Sequence, residues 1–191
     1  MSKLIEDFKA LRNICTDIRS NYNTYLYLGL EETSVLLSKV APAFFAELSE
    51  ILRRDWLLQV CKLMDVSSTR RKEGILENIS INLIVDGLDA RGLCTENIRN
   101  TAFRLGAYGK KLNVARDKLL AHNDRSHYFL GRPLGDTSEE ELNQFIFDLQ
   151  FFCDSVGTAL GEGPLDFSVS ACKGDVVDFV LFLRKAVSLG I

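Results

Sequence analysis

Apolar residues in this chain recur at steps of three and four, a spacing that leaves room for little except helices packed on helices. The stripe Leu4, Phe8, Leu11, Cys15, Ile18, Tyr22 and Tyr25 is unbroken and predicts one long helix that stops near Gly29. Phe45, Leu48, Leu52, Trp56, Val60 and Leu63 keep the same period within a segment running from about Thr33 to Met64. Pro42 marks a kink or a fresh start there, with proline in the first turn. Ser67-Ser68-Thr69 then breaks the pattern and is suited to cap the next element, with Glu73 close behind.

Residues 79–85 read two ways. Ile79, Ile81, Leu83 and Val85 alternate as in a strand, whereas Leu76, Ile79 and Leu83 also make a helix face. Thr95 is the expected N-cap of a helix with the stripe Ile98, Ala102, Leu105, Leu112 and Leu119, ending near His122. Gly106 and Gly109 weaken its middle by about 1 kcal/mol each relative to alanine, which points to close packing there. Thr137 and Glu140 have the spacing of a capping box for a helix burying Leu142, Phe145, Leu149, Phe152, Val156 and Leu160. Phe147 and Phe151 lie off that stripe and form a second apolar face, to be covered by the C-terminal segment or by another subunit. Gly161-Glu162-Gly163-Pro164 ends the helix, and Asp175 caps a last short one through Lys185. The reading is mostly helical. An α+β arrangement using residues 79–85 and 167–183 is the alternative left by periodicity.

Composition excludes several classes. With 47 % hydrophobic and 26 % charged residues, the 191-residue chain is an ordinary globular sequence and needs neither metal nor disulfide staples. No apolar run approaches the ~18 residues of a membrane span, and the N-terminus lacks the apolar core of a signal peptide. Five cysteines, Cys15, Cys61, Cys94, Cys153 and Cys172, are odd in number and have no paired spacing, which argues for reduced thiols and a cytoplasmic setting. Phosphate loops, dinucleotide fingerprints and nucleophile elbows are missing, so no cofactor is expected. His122 and His127 with Asp124 nearby make a poor metal site.

Charge is unevenly spread. Net charge is −3, yet Arg104, Lys110, Lys111, Arg116, Lys118, Arg125 and Arg132 lie in one stretch against only Asp117 and Asp124. Both histidines of the protein fall inside that basic island. Arg116 and His122, with five residues between them, are a minimal kit for cutting RNA without a metal. Histidine titrates near neutrality and can take a proton from a 2′-hydroxyl or give one to the leaving 5′-oxygen. Arginine remains charged and its planar fork matches the oxygens of a phosphorane. On one ideal helix six positions turn about 600°, so the two side chains would point some 120° apart. Either the helix ends before His122 or two subunits share the work. The same pair also suits dipole and capping contacts at a helix end.

Arg116 to Asp124 resembles the R-x(4–6)-H motif of the HEPN superfamily (higher eukaryotes and prokaryotes nucleotide-binding domain), in which a polar residue, here Asp117, follows the arginine. Ala41-Pro42-Ala43-Phe44-Phe45, then Leu63-Met64-Asp65 with Ser68-Thr69-Arg70-Arg71-Lys72-Glu73, then Ala121-His122-Asn123-Asp124 resemble in order the abortive-infection, AbiU-type branch. Val66 stands where that pattern has proline. The likeness spans roughly residues 10–155. It implies an all-α up-and-down bundle over residues 1–160, with residues 75–88 helical despite their alternation and 161–191 as a C-terminal helical appendage packed on it. It further implies a homodimer whose motif helices meet, in phage defence, stress response or a toxin–antitoxin pair with a neutralising antitoxin or regulatory protein. The activity implied is metal-independent RNA cleavage by Arg116, His122 and Asp117, with RNA held by Lys118, Arg125, Asn123, Lys110 and Lys111. Other members of the superfamily are inactive and bind RNA or protein, which is the alternative function.

Overall fold

The stripe on the first segment becomes the axis of the molecule. In the computed structural model, which describes residues 1–72, 74–116, 137–168 and 172–190, helix α1 (Ser2–Gly29) buries Leu4, Phe8, Leu11, Cys15, Ile18 and Tyr22. Around it lie α2 (Glu31–Val40), α3 (Pro42–Leu63), α4 (Ile81–Asp89), α5 (Glu96–Arg116), α6 (Glu139–Leu160) and α7 (Val176–Ser188). One antiparallel hairpin, β1 (Ser68–Arg71) and β2 (Gly74–Glu77), stands between α3 and α4. The fold is an all-α bundle, with that hairpin as the one β element among the described residues.

Side-chain pairs give the directions. Lys111 meets Glu141 and Arg104 meets Asp148, so α5 and α6 run antiparallel. Tyr22 donates to Asn143 at 3.4 Å, and Phe8 lies against Gly157, so α6 is also antiparallel to α1. Asn21 on α1 donates to Asp55 on α3. The enclosed core joins the α1 stripe to Val60 and Leu63, Ile84 and Leu88, Leu105 and Leu112, and Leu149, Phe152 and Val156. Burying each such side chain contributes roughly 1.5–3 kcal/mol. A smaller cluster of Leu28, Leu37 and Phe45 receives Val176 and Leu183 of α7, with the Phe45 and Phe179 rings 6.2 Å apart. Phe167, in the stretch between α6 and α7, belongs to the main core.

Several expectations hold in detail. Pro42 opens α3 in its first turn, the Thr95 hydroxyl accepts from the Ile98 amide at 3.3 Å, and Asp175 caps α7 by accepting from the Val177 and Asp178 amides. Gly161, at φ 73°, closes α6 in the left-handed conformation.

Others are corrected. Of the helix implied over residues 75–88 only the later part forms: Gly74–Glu77 pair as β2, and the Ser80 hydroxyl accepts from the Leu83 amide and starts α4, whose inner face is Ile81, Ile84 and Leu88. Burial of one side against α1 selected the helical period over the alternating one. Among the described residues of 167–183, none is in a strand and α7 occupies the stretch from Val176 onward, so the α+β alternative falls. Ser68 and Thr69 do not cap a helix but pair as β1, where Thr69 faces Leu76 and Arg70 faces Ile75. The capping box of α6 sits one residue later than expected: Ser138 accepts from the Glu141 amide, and Glu141 accepts from the Ser138 amide, both at 3.2 Å. Gly109 is the tight position on α5, where a Cβ would come within 2.5 Å of Met64 Cγ, while Gly106 faces open space. Tyr25 is exposed, and so are Phe147 and Phe151, whose rings stack 6.2 Å apart.

Candidate active site at the end of α5

The course of α5 is set by its Thr95 cap, its buried Ile98, Leu105 and Leu112, and the contact of Gly109 with Met64. These bring Arg116 to the C-terminal end of the helix, where a cation suits the negative end of the macrodipole. Its side chain is 34 % exposed, and Nη1 lies 4.0 Å from Oδ1 of Asp65. That separation is an ionic contact between partly solvated groups and not a short bidentate bond.

Asp65 is held in turn. It follows α3 directly, its amide donates to the Lys62 carbonyl at 3.1 Å, and Asn82 of α4 donates to its carbonyl at 2.9 Å. Asn82 also reaches the Met64 carbonyl at 3.4 Å, while Met64 covers Gly109. Three helices therefore converge on the corner that holds Arg116 and Asp65. Sequence reasoning gave Asp65 no role; the signals that bear on it are its place in the Leu63-Met64-Asp65 block and the glycine opposite Met64.

The basic island is less free than its charge count suggests. Arg104 forks onto buried Asp148 with bonds of 2.9 and 2.7 Å, and Gln144 adds a third at 3.1 Å. The Asp148 carboxylate raises the Arg104 pKa. Lys111 pairs with Glu141 and, through that bond first, holds the Glu141 carboxyl below its usual range. Lys110 is exposed and has no acidic partner among the described residues. Behind this surface Tyr108 stacks on Phe145 at 4.6 Å, and burial pushes its phenol up to about 12. Asp117, Lys118, His122, Asn123 and Arg125 lie outside the described residues, as does the whole stretch between Arg116 and His122. Among the described residues no three His, Cys, Asp or Glu side chains gather as metal ligands.

The family model described as AbiU2, of the HEPN class, matches residues 1–179. The chain belongs to the AbiU2 family. No curated protein and no solved structure gives a significant match. The AbiU2 match starts in α1 and runs into α7, well past the motif blocks read from the sequence. Within this AbiU2 chain, Asp65 of one block faces Arg116 of another, and Pro42 of the first block starts the helix that delivers Asp65. No helix among the described residues is long and apolar enough to cross a membrane.

Proposed function

We propose that this chain is a metal-independent endoribonuclease of the HEPN type, acting as a homodimer in phage defence or a related stress response. The observation that supports it is Arg116. It is carried to the end of α5 by three converging helices, remains partly exposed, and immediately precedes the segment containing His122. In this reading the substrate's own 2′-hydroxyl attacks the adjacent phosphorus. An O2′–P bond forms and the P–O5′ bond breaks. His122 moves the protons, taking one from the 2′-oxygen or giving one to the 5′-oxygen, for on the order of 10²–10⁴-fold in rate. Arg116 offsets charge on the non-bridging oxygens. Asp117 orients Arg116 or the facing subunit's histidine, while Lys118, Asn123, Arg125 and Lys110 hold flanking phosphates. Lys111 reaches RNA only by leaving Glu141.

A non-catalytic binding module is the second reading. It is favoured by the acids that already engage Arg104, Lys111 and Arg116. End-labelled RNA incubated with purified protein in EDTA separates the two. Cleavage that leaves 2′,3′-cyclic phosphate ends, spares DNA of the same sequence and disappears in His122→Ala is the expected result. Folded protein that binds RNA without cutting it moves the assignment to the module, and cleavage only with added divalent metal rejects the mechanism.

A further inference from the structure

The hairpin is the element whose presence internal packing does not explain. All eight strand residues are exposed, with Ile75 at 71 % and Leu76 at 49 %. A two-stranded ribbon in water is marginal by itself, and this one buries neither face. Its root, by contrast, is tied down. Asn78 donates its amide to the Ser67 carbonyl and its side-chain nitrogen to the Val66 carbonyl, both at 2.9 Å. Lys3 pairs with Glu77 at 2.6 Å.

The register sets what the ribbon presents. Arg70 stands opposite Ile75 and Arg71 opposite Gly74, so the two guanidinium groups leave by opposite faces, and Lys72 follows at the turn. None of the three has an acidic partner among the described residues, whereas Glu77 is already engaged by Lys3. Arg70 lies five residues beyond Asp65, a reach of at most roughly 18 Å for extended chain. The cations are therefore a few nucleotides away from the Arg116 corner.

We propose that the hairpin is a nucleic-acid arm. Arg70, Arg71 and Lys72 grip the backbone of single-stranded RNA beside the bond presented to Arg116, and the arginine planes also offer surfaces on which unpaired bases stack. The assignment rests on RNA being the substrate. Three cations gathered at an anchored, uncovered tip of a chain with net charge −3 suit a polyanion.

The test uses the full chain and a fluorescein-labelled 2′-O-methyl RNA of about 20 nucleotides, which carries phosphates but has no 2′-hydroxyl to react. Anisotropy titrations over a range of sodium chloride compare the wild type with Arg70→Ala/Arg71→Ala/Lys72→Ala. The triple variant is expected to bind about tenfold or more weakly, with the slope of log K against log salt reduced by about 2, three contacts at ~0.7 each. Arg70→Lys/Arg71→Lys keeps the charge and is expected to keep the slope. Unchanged affinity and slope in a triple variant with native circular dichroism overturn the arm and leave the RNA reading standing. A wild type that neither binds nor cuts RNA overturns both. Loss of binding together with conversion of a dimer to monomers makes the hairpin a subunit contact and also overturns the arm. Should the triple variant fail to fold, Arg70→Gln alone carries the test, with an expected slope change of about 0.7.

Discussion

Arg104 and Arg116 stand twelve positions apart on one helix, yet their surroundings assign them opposite duties. Asp148 is fully buried and depends on Arg104 for two of its hydrogen bonds. Removing the guanidinium strands a carboxylate in the core, at a cost that the arginine's half exposure holds to about 2–3 kcal/mol. Arg116 and Asp65 are both partly solvated, and their contact contributes about 1 kcal/mol or less. Urea unfolding of Arg104→Met and Arg116→Ala should therefore show a large loss for the first and a small one for the second. RNA cleavage should follow the reverse order, surviving in Arg104→Met below its melting range and lost in Arg116→Ala. Equal destabilisation by both would make Arg116 a structural contact and remove it from the site.

At the scale of elements, legibility follows the length of the pattern. Helices α1, α3 and α6 each carry five or more turns of stripe, enough for the 3.6 period to declare itself. Helix α4 has only nine residues, and over so short a run alternation and helical spacing share most of their positions. Burial against α1 decided it. The hairpin left no apolar pattern to read because it buries nothing, and serines preceding a glutamate look like a cap in either structure. Asp65 was equally illegible as the partner of Arg116, since a contact across some fifty residues leaves no local periodicity. Arg116 itself was readable because its motif is local. The glycines show the same division. Gly106→Ala should raise stability by up to about 1 kcal/mol, as its Cβ meets nothing. Gly157→Ala should cost about 1–3 kcal/mol, because its Cβ would collide with the Gly163 carbonyl, which is backbone and cannot swing aside. Chemical denaturation of the two variants checks the sign of each, and destabilisation by Gly106→Ala would mean that the face is covered by something else.

For the whole molecule, the proposed homodimer would use the stacked, exposed Phe147 and Phe151 as its seam, since a two-fold interface joins the same patch on both subunits. Light scattering at micromolar concentration should give the mass of two chains. Phe147→Ser/Phe151→Ser should give one chain with its helical circular dichroism intact and its RNA cleavage lost; a cleaving monomer would refute the shared site. The central place of α1 has a different consequence, in the order of synthesis. Some partners of α1 are made well over a hundred residues after it: Tyr22 waits for Asn143, and Arg12 reaches the carbonyl of Glu162. At translation speeds of ~5–20 residues per second, the part of its apolar stripe that faces α6 stays uncovered for roughly 6–30 s before α6 leaves the ribosome. Long-range closure of this kind slows folding and favours chaperone attendance. It also ties completion of the bundle to the synthesis of α6, so that a translation stopped before α6 releases no assembled bundle.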